Sequence, residues 1–290
     1  MSYLDRIKAC NNAELDDFVP LRVAGTGVGW LSKRFVPHLA AWPEVFAITG
    51  QAVALHPALD SFAARTRAVA AVTAELVTQG IIDRRHGELY PVTAGSRDEG
   101  AFLLDRAAAP YFGIRAFGQH INGFVRDRGE LKMWIGKRAL SKSTFPGKLD
   151  NMVAGGLPYG IGFQQNLTKE CWEEAAIPSA LARTARPVGI ITYCAQVPRG
   201  LKPDVQYCYD LELPPDFVPR CNDGEVAAFS LRPVDEVAEL VRTTQSFKMN
   251  CDLVIIHFLL RHGYITPEHT DYLALWTGLC QWQGFQQPSK

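Results

Sequence analysis

The chain has 290 residues, of which 47% are hydrophobic and 21% charged. That is ample apolar material for a full-sized core, and it excludes a disordered chain. Thirty Lys and Arg balance thirty Asp and Glu, so no bulk field draws the chain to nucleic acid or an acidic membrane, and any anionic ligand must be held by local charge or a metal. Seven widely spaced cysteines without a C-x-x-C pair fit reduced thiols in a cytoplasmic protein better than a disulfide framework or a structural zinc site. The polar start, Met1 to Arg6, lacks an apolar signal core, so secretion is not expected. The apolar run Leu253 to Leu260, interrupted by His257, falls far short of the ~20 residues of a membrane span.

In chain order, Ser2 to Leu15 reads as a short helix capped by Ser2. Phe18 to Leu31 is strand-like, broken by Gly25, Gly27 and Gly29. Asp60 to Gln79 is an Ala-rich helix, capped at Asp60 or Ser61 and stopped by Gly80. A strand follows at Leu89 to Val92, then a polar loop from Gly95 to Gly100 and a helical turn at Arg106 to Tyr111. From Gly113 the texture changes. Ile114 to Val125 and Leu131 to Arg138 read as a hairpin with its turn at Asp127-Arg128-Gly129-Glu130. The stretch Ser141 to Gly162 is rich in turns, and a helix runs from about Gln164 to Ala176. Val188 to Val197, Tyr207 to Leu213 and Val226 to Leu231 are strands; Val234 to Thr243, Cys251 to His262 and Pro267 to Leu279 are helices. This order predicts an α/β (α+β) fold: a small α+β domain over 1–112, then a mixed sheet covered by helices over 113–290.

The chemistry concentrates in one segment. Glu170, Glu173 and Glu174 stand at i, i+3 and i+4, hence on one helical face. Three such carboxylates repel unless a divalent cation lies among them, and an oxygen-rich set suits Mg²⁺ or Mn²⁺, which also bind phosphates. A glycine-rich turn, Gly155 to Gly162, precedes the helix and lets backbone approach a metal or phosphate closely. The residues alone also admit a solvated, Glu-rich helix face.

This loop and helix resemble the Nudix box, G-x5-E-x7-R-E-U-x-E-E-x-G-U, with U apolar. Lys169-Glu-Cys-Trp-Glu-Glu-Ala-Ala-Ile177 aligns with its second half. Lys169 stands for the Arg and Ala176 for the late Gly. With Gly155-Gly156 on the glycine pair, the loop is one residue short and the first Glu falls on Gly162. All three metal-binding helix positions are kept. Trp134 to Arg138, Lys142 to Gly147 and Leu149 to Gly156 resemble the approach to such a box. Phe112-Gly113, His120-Ile-Asn-Gly123, Gly156 to Ile161, Lys169-Glu-Cys171 and Leu253 to Tyr264 resemble one subfamily, the thiamine pyrophosphokinase-related Nudix hydrolases. These carry an N-terminal domain of the DUF4743 type, and the short loop and the Lys recur in them.

The resemblance covers nearly the whole chain. It implies a Nudix α/β/α sandwich after a DUF4743-type domain. It further implies an enzyme that hydrolyses thiamine diphosphate, preferentially its damaged oxo and oxy analogues, to the monophosphates. The metal ligands are then Glu170, Glu173 and Glu174, with the Gly155 carbonyl, and the general base is Glu174, then Glu170. Arg138, Lys142, Lys148, His120 and Tyr159 are candidates to bind substrate, with Phe145 and Trp30 as further rings for stacking. Glu225 is a candidate to reach the metal from a loop, or a plain hairpin-turn acid. The partner expected is a small-molecule diphosphate, not nucleic acid or membrane, and the N-terminal domain is expected to cap the pocket. The alternatives are a Nudix hydrolase of another nucleoside diphosphate derivative, a non-catalytic ligand-binding protein of this fold, and a diphosphate isomerase, for which no matching cysteine motif is visible.

Overall fold

The computed structural model describes residues 2–281. The first part of the chain runs α1 (Tyr3–Cys10), β1 (Phe18–Val23), β2 (Thr26–Ser32), α2 (Val36–Leu39), β3 (Phe46–Ile48), β4 (Val53–Leu55), α3 (Phe62–Thr78), β5 (Leu89–Val92), β6 (Phe102–Asp105) and α4 (Ala109–Phe112). The second part runs β7 (Phe117–Asp127), β8 (Glu130–Arg138), β9 (Leu149–Asp150), β10 (Val153–Gly156), α5 (Phe163–Ala175), α6 (Ser179–Ala182), β11 (Arg186–Val197), β12 (Gly200–Glu212), β13 (Val226–Pro233), α7 (Val234–Thr243), α8 (Met249–Arg261) and α9 (Tyr272–Gly278). Among the described residues no helix is long and apolar enough to cross a membrane.

Strands β1 to β4 form a sheet in the order β2-β1-β4-β3, while β5 and β6 make a separate ribbon. Leu21, Leu31, Val72, Leu76 and Phe112 belong to the core that α3 and these strands share. Ser61 caps α3 as expected, accepting from the Ala64 N–H. The large sheet runs β11-β12-β7-β8-β13, with β10 pairing β7 and β9 pairing β8. It is mixed, because β12 lies parallel to β7 and the other pairs are antiparallel.

The alternation of side chains along β7 makes this sheet the middle of a sandwich. Ile121 and Val125 pack with Leu167, Cys171 and Ala175 of α5. Phe124 packs on the other face with Phe258, Leu259 and Val237 of α8 and α7. One element departs from the expected division of the chain at 112. Helix α1 carries the Ser2/Asp5 capping box, but its Ile7 and Cys10 are buried among the residues of α7, α8 and α9. Arg6 Nε donates to the Val241 carbonyl at 2.7 Å. The segment before residue 113 thus closes the core of the segment after it.

Polar residues line the α8 face of the sheet. Asp210 on β12 accepts two bonds from Arg261, at 2.7 and 2.9 Å, and one from Asn122 at 3.2 Å, and lies 2.9 Å from His262 Nε2. Burial alone would raise the Asp210 pKa, but His262 and Arg261 outweigh it and hold the carboxyl at about 2. The ordinary value is about 3.9, so this group contributes stability that is complete above about pH 4 and is lost as pH falls through 2. Asp210→Asn strands Arg261 and should cost about 3–5 kcal/mol at pH 7. Urea unfolding should show this gap closing as pH falls from about 5 towards 2; a gap that does not close refutes the assignment.

Candidate active site

Helix α5 starts after Gly162 and ends at Ala176, whose φ of +52° is left-handed. This is the C-cap conformation that glycine adopts without strain, and it falls where the Nudix motif has its late glycine. The helix presents Glu170 and Glu174 to the sheet, 9% and 7% exposed. Glu173 is more open, its side chain 39% exposed. The Glu170 carboxylate lies against the backbone of Gly155, where a Cβ would stand 2.2 Å from Glu170 Cδ. Glu174 Oε2 accepts from the Ala154 N–H at 2.8 Å. Lys169 bridges the other two acids, with Nζ 3.2 Å from Glu170 and 2.9 Å from Glu173.

Burial sets the electrostatics of this group. It pushes the Glu174 carboxyl up to about 8, with Glu170, Asp150 and Glu225 adding repulsion against the Ala154 hydrogen bond. It raises Glu170 as well, although Lys169 opposes it. Buried carboxylates with only oxygen donors around them are what a hard divalent cation compensates. The donor set therefore fits such an ion at Glu170, Glu173 and Glu174, beside the Gly155 backbone.

A small cavity next to Glu174 is lined by Arg138, Asp150, Asn151 and Glu225. Arg138 is tied down there. It donates from Nη1 to Asp150 at 2.7 Å and from Nη2 to the Thr144 carbonyl at 2.8 Å, with Nε on the Phe145 carbonyl at 3.1 Å. Lys142 pairs with Glu225 at 2.5 Å. Glu225 thus stands at the site, facing Lys142, Arg106 and Arg138, which together keep its pKa low against burial.

Three expected contacts lie elsewhere. His120 points to the α8 face, opposite the carboxylates. Its Nδ1 is 2.8 Å from Asn151 Oδ1 and its Nε2 3.3 Å from Asn250 Nδ2. Burial there pushes its pKa down to about 4, so it is a neutral, satisfied histidine. Lys148 sends Nζ to the carbonyl of Gln245, away from α5. Trp30 is buried with Phe18, Cys194 and Leu201. Tyr159, by contrast, is 48% exposed on the loop before α5, its ring 6.0 Å from that of Phe62.

His120, Asp150 and Cys251 form a second group with metal-ligand atoms close together. Asp150 is already matched by Arg138 at 2.7 Å and Lys248 at 3.4 Å. Burial, then Asp150, pushes the Cys251 thiol well up. With Asp150 already balanced by two cations, little negative charge is left in this group for a metal.

Sequence reasoning missed the residues that hold the loop from the N-terminal side. Arg97, its side chain 7% exposed, donates from Nη2 to the carbonyls of Pro158 and, at 2.6 Å, Ile161. The Tyr159 N–H donates to the Leu89 carbonyl at 2.8 Å. Tyr90 and Arg106 stand over Gly156, where a Cβ would meet the Tyr90 hydroxyl at 2.3 Å and Arg106 Cζ at 3.1 Å. No motif marks these residues, since each acts on sequence-distant backbone. The only available signal was the glycine pair, which announces close approach from something.

Residues 2–116 match the family described as "Domain of unknown function (DUF4743)". The chain is 46% identical over 288 residues to "Nudix hydrolase 20, chloroplastic" of Arabidopsis thaliana, covering 96% of this chain and 77% of that one. It is 46% identical over 281 residues to "Nudix hydrolase 24, chloroplastic" of the same plant, with the same coverages. Among solved structures, DR0079 from Deinococcus radiodurans is 23% identical with a TM-score of 0.43, covering 58% of this chain and 96% of its own. The NUDIX domain of Shewanella oneidensis NrtR, complexed with ADP ribose, is 15% identical with a TM-score of 0.41, covering 55% and 94%.

Two outcomes are expected from this geometry. Ala176→Gly should stabilise the chain in urea unfolding by about 1 kcal/mol, because it relieves the left-handed alanine; no gain would mean that the cap is unstrained. Arg97→Ala should free the loop, so that the Tyr159 amide exchanges hydrogen at least about 10-fold faster while α8 is unaffected. Unchanged exchange at Tyr159 would show that the loop holds itself.

Proposed function

Since the chain belongs to the Nudix hydrolases, we propose that it cleaves thiamine diphosphate, and by preference its oxo and oxy analogues, to the monophosphate and phosphate. Membership makes it a hydrolase of diphosphate bonds that works with a divalent metal. The substrate, Mg²⁺ or Mn²⁺ as the ion, and the roles of single residues are our reading. The observation that carries it is the buried acidic face of α5 laid against the side-chain-free Gly155. The substrate class is supported by the subfamily resemblance of segments such as His120 to Gly123 and Leu253 to Tyr264.

In this reading Glu170, Glu173 and Glu174, with the Gly155 carbonyl, hold the cation. When bound, it supplies Lewis acidity and neutralises charge on the diphosphate oxygens. Glu174 takes the proton of the attacking water, with Glu170 as the next candidate; the Ala154 N–H fixes the Glu174 carboxylate for that task. Arg138 holds the 144–145 turn, and Lys142 and Glu225 form the far wall. Tyr159 and Phe145, both partly exposed, are the rings offered to the organic part of the substrate. The segment 1–112 serves as a cap over the Nudix domain, 113–290, with α1 as its anchor.

The test is phosphate release with Mg²⁺ from thiamine diphosphate, its oxo and oxy analogues and a panel of nucleoside diphosphate derivatives. The thiamine compounds should be turned over, and Glu173→Gln and Glu174→Gln should each lower kcat by about 100-fold or more. Turnover of nucleotides alone would discard the thiamine reading and retain the hydrolase.

A further inference from the structure

The cations expected around the carboxylates are largely spent on the protein itself. Arg138 uses all three guanidinium nitrogens on Asp150 and the 144–145 carbonyls. Lys142 is paired with Glu225, Lys148 with the Gln245 carbonyl, and Lys169 with Glu170 and Glu173. A diphosphate brought to this site carries more negative charge than one cation neutralises, so a further donor is called for.

Arg106 meets that need from the segment between β6 and α4. Its guanidinium lies over Gly156, the residue after Gly155, with Cζ 3.1 Å from where a Cβ would stand, beside the Tyr90 hydroxyl that a Cβ would meet at 2.3 Å. Nη1 donates to Glu88 Oε2 at 2.7 Å, and Cζ sits 5.8 Å from the centre of the Tyr90 ring. Among the described residues Nε and Nη2 carry no hydrogen bond, and the side chain is 37% exposed. Glu225 and Glu170 are both close enough to interact electrostatically with Arg106.

Arg106 is also not the clasp between the two parts of the chain. Among the described residues its one side-chain hydrogen bond, to Glu88, stays within its own unit, whereas Arg97 and the Leu89 carbonyl make the cross-unit bonds to the loop. A guanidinium with a fixed orientation, spare donors and partial exposure, set across Gly155-Gly156 from the Glu170 carboxylate, is a preorganised fork for phosphate oxygens that reach past this strand.

We propose that Arg106, supplied by the N-terminal unit, binds the diphosphate of the substrate held at the α5 carboxylates. Glu88 and Tyr90 position it, and the N-terminal unit is thereby part of the active site. This rests on the hydrolase reading above.

The experiment uses the full chain with Mg²⁺ and methylenediphosphonate, a diphosphate that cannot be cleaved, as the calorimetric probe. KM and kcat are measured beside it on whichever diphosphate the wild type hydrolyses. Arg106→Gln should weaken probe binding about 10- to 100-fold and raise KM by a similar factor, with Tm close to wild type. Arg106→Lys should fall between the two, since it keeps the charge and loses the fork. Wild-type binding and turnover with Arg106→Gln equal in both would overturn the assignment and leave the hydrolase reading intact. A wild type that neither binds the probe nor cleaves any diphosphate would overturn both. If Arg106→Gln does not fold, Arg106→Lys decides: a raised KM at unchanged Tm supports the role, and an unchanged KM and affinity refute it.

Discussion

The Glu170 carboxylate occupies the space that a side chain on residue 155 would need. That single close approach ties the helix to the strand and sets the character of the site. An acid packed so tightly against backbone loses its water, and the loss raises the pKa of Glu170 and, further along the helix, of Glu174. Among the described residues, the cation paired with these acids is Lys169, from the rim. The acidic face therefore remains short of positive charge. A divalent ion stabilises such a face, which is the state in which a Nudix hydrolase works.

The next residue, Gly156, repeats the device on the other side. Successive residues of a strand point to opposite faces, so Gly155 opens towards α5 and Gly156 towards the N-terminal unit. Tyr90 and Arg106 fill the second opening as Glu170 fills the first. One short strand, β10, thus receives the carboxylates on one face and a cation on the other. The loop that leaves it is gripped at once by Arg97 and the Leu89 carbonyl. With α1 buried under α7, α8 and α9, the two parts of the chain are interlocked there and at this loop. An N-terminal unit joined in this way sets the position of the loop.

Much of this was legible in the sequence and some was not, for physical reasons. The three glutamates of α5 follow from helical periodicity, and β7, β8, β11 and the second half of β12 follow from local apolar content, whereas the first half of β12, from Gly200, does not. Strands β9 and β10 lie inside a turn-rich stretch and exist only through pairing with β8 and β7, so local composition could not reveal them. His120 reads either as a substrate candidate or as a satisfied structural histidine, and its parity with Asn122 and Phe124, both on the α8 face, is the sequence signal for the second. Lys148 has the right charge and approximate position, yet the turn before α8 claims it. Arg97 belongs to a polar loop and Arg106 to the start of a short helical turn, and the meaning of both lies in backbone that is more than forty positions away.

The α8 face of the sheet carries a cost that helps to fix the geometry of the other. Asn151 donates to Asn122 at 3.2 Å and meets His120 at 2.8 Å; Asn122 in turn reaches Asp210 at 3.2 Å, and Asp210 holds Arg261. Buried polar groups are expensive unless each finds its partner, and a slip of one residue in β7 would turn His120 and Asn122 towards the apolar contacts of α5. The network thus makes one register of β7 against β12 far better than its neighbours. That register also decides which residues of β7 meet β10, pairing Gln119 with Gly155 and Gly118 with Gly156. A polar chain on the α8 face therefore holds the two glycines where the carboxylates and the arginine can reach them.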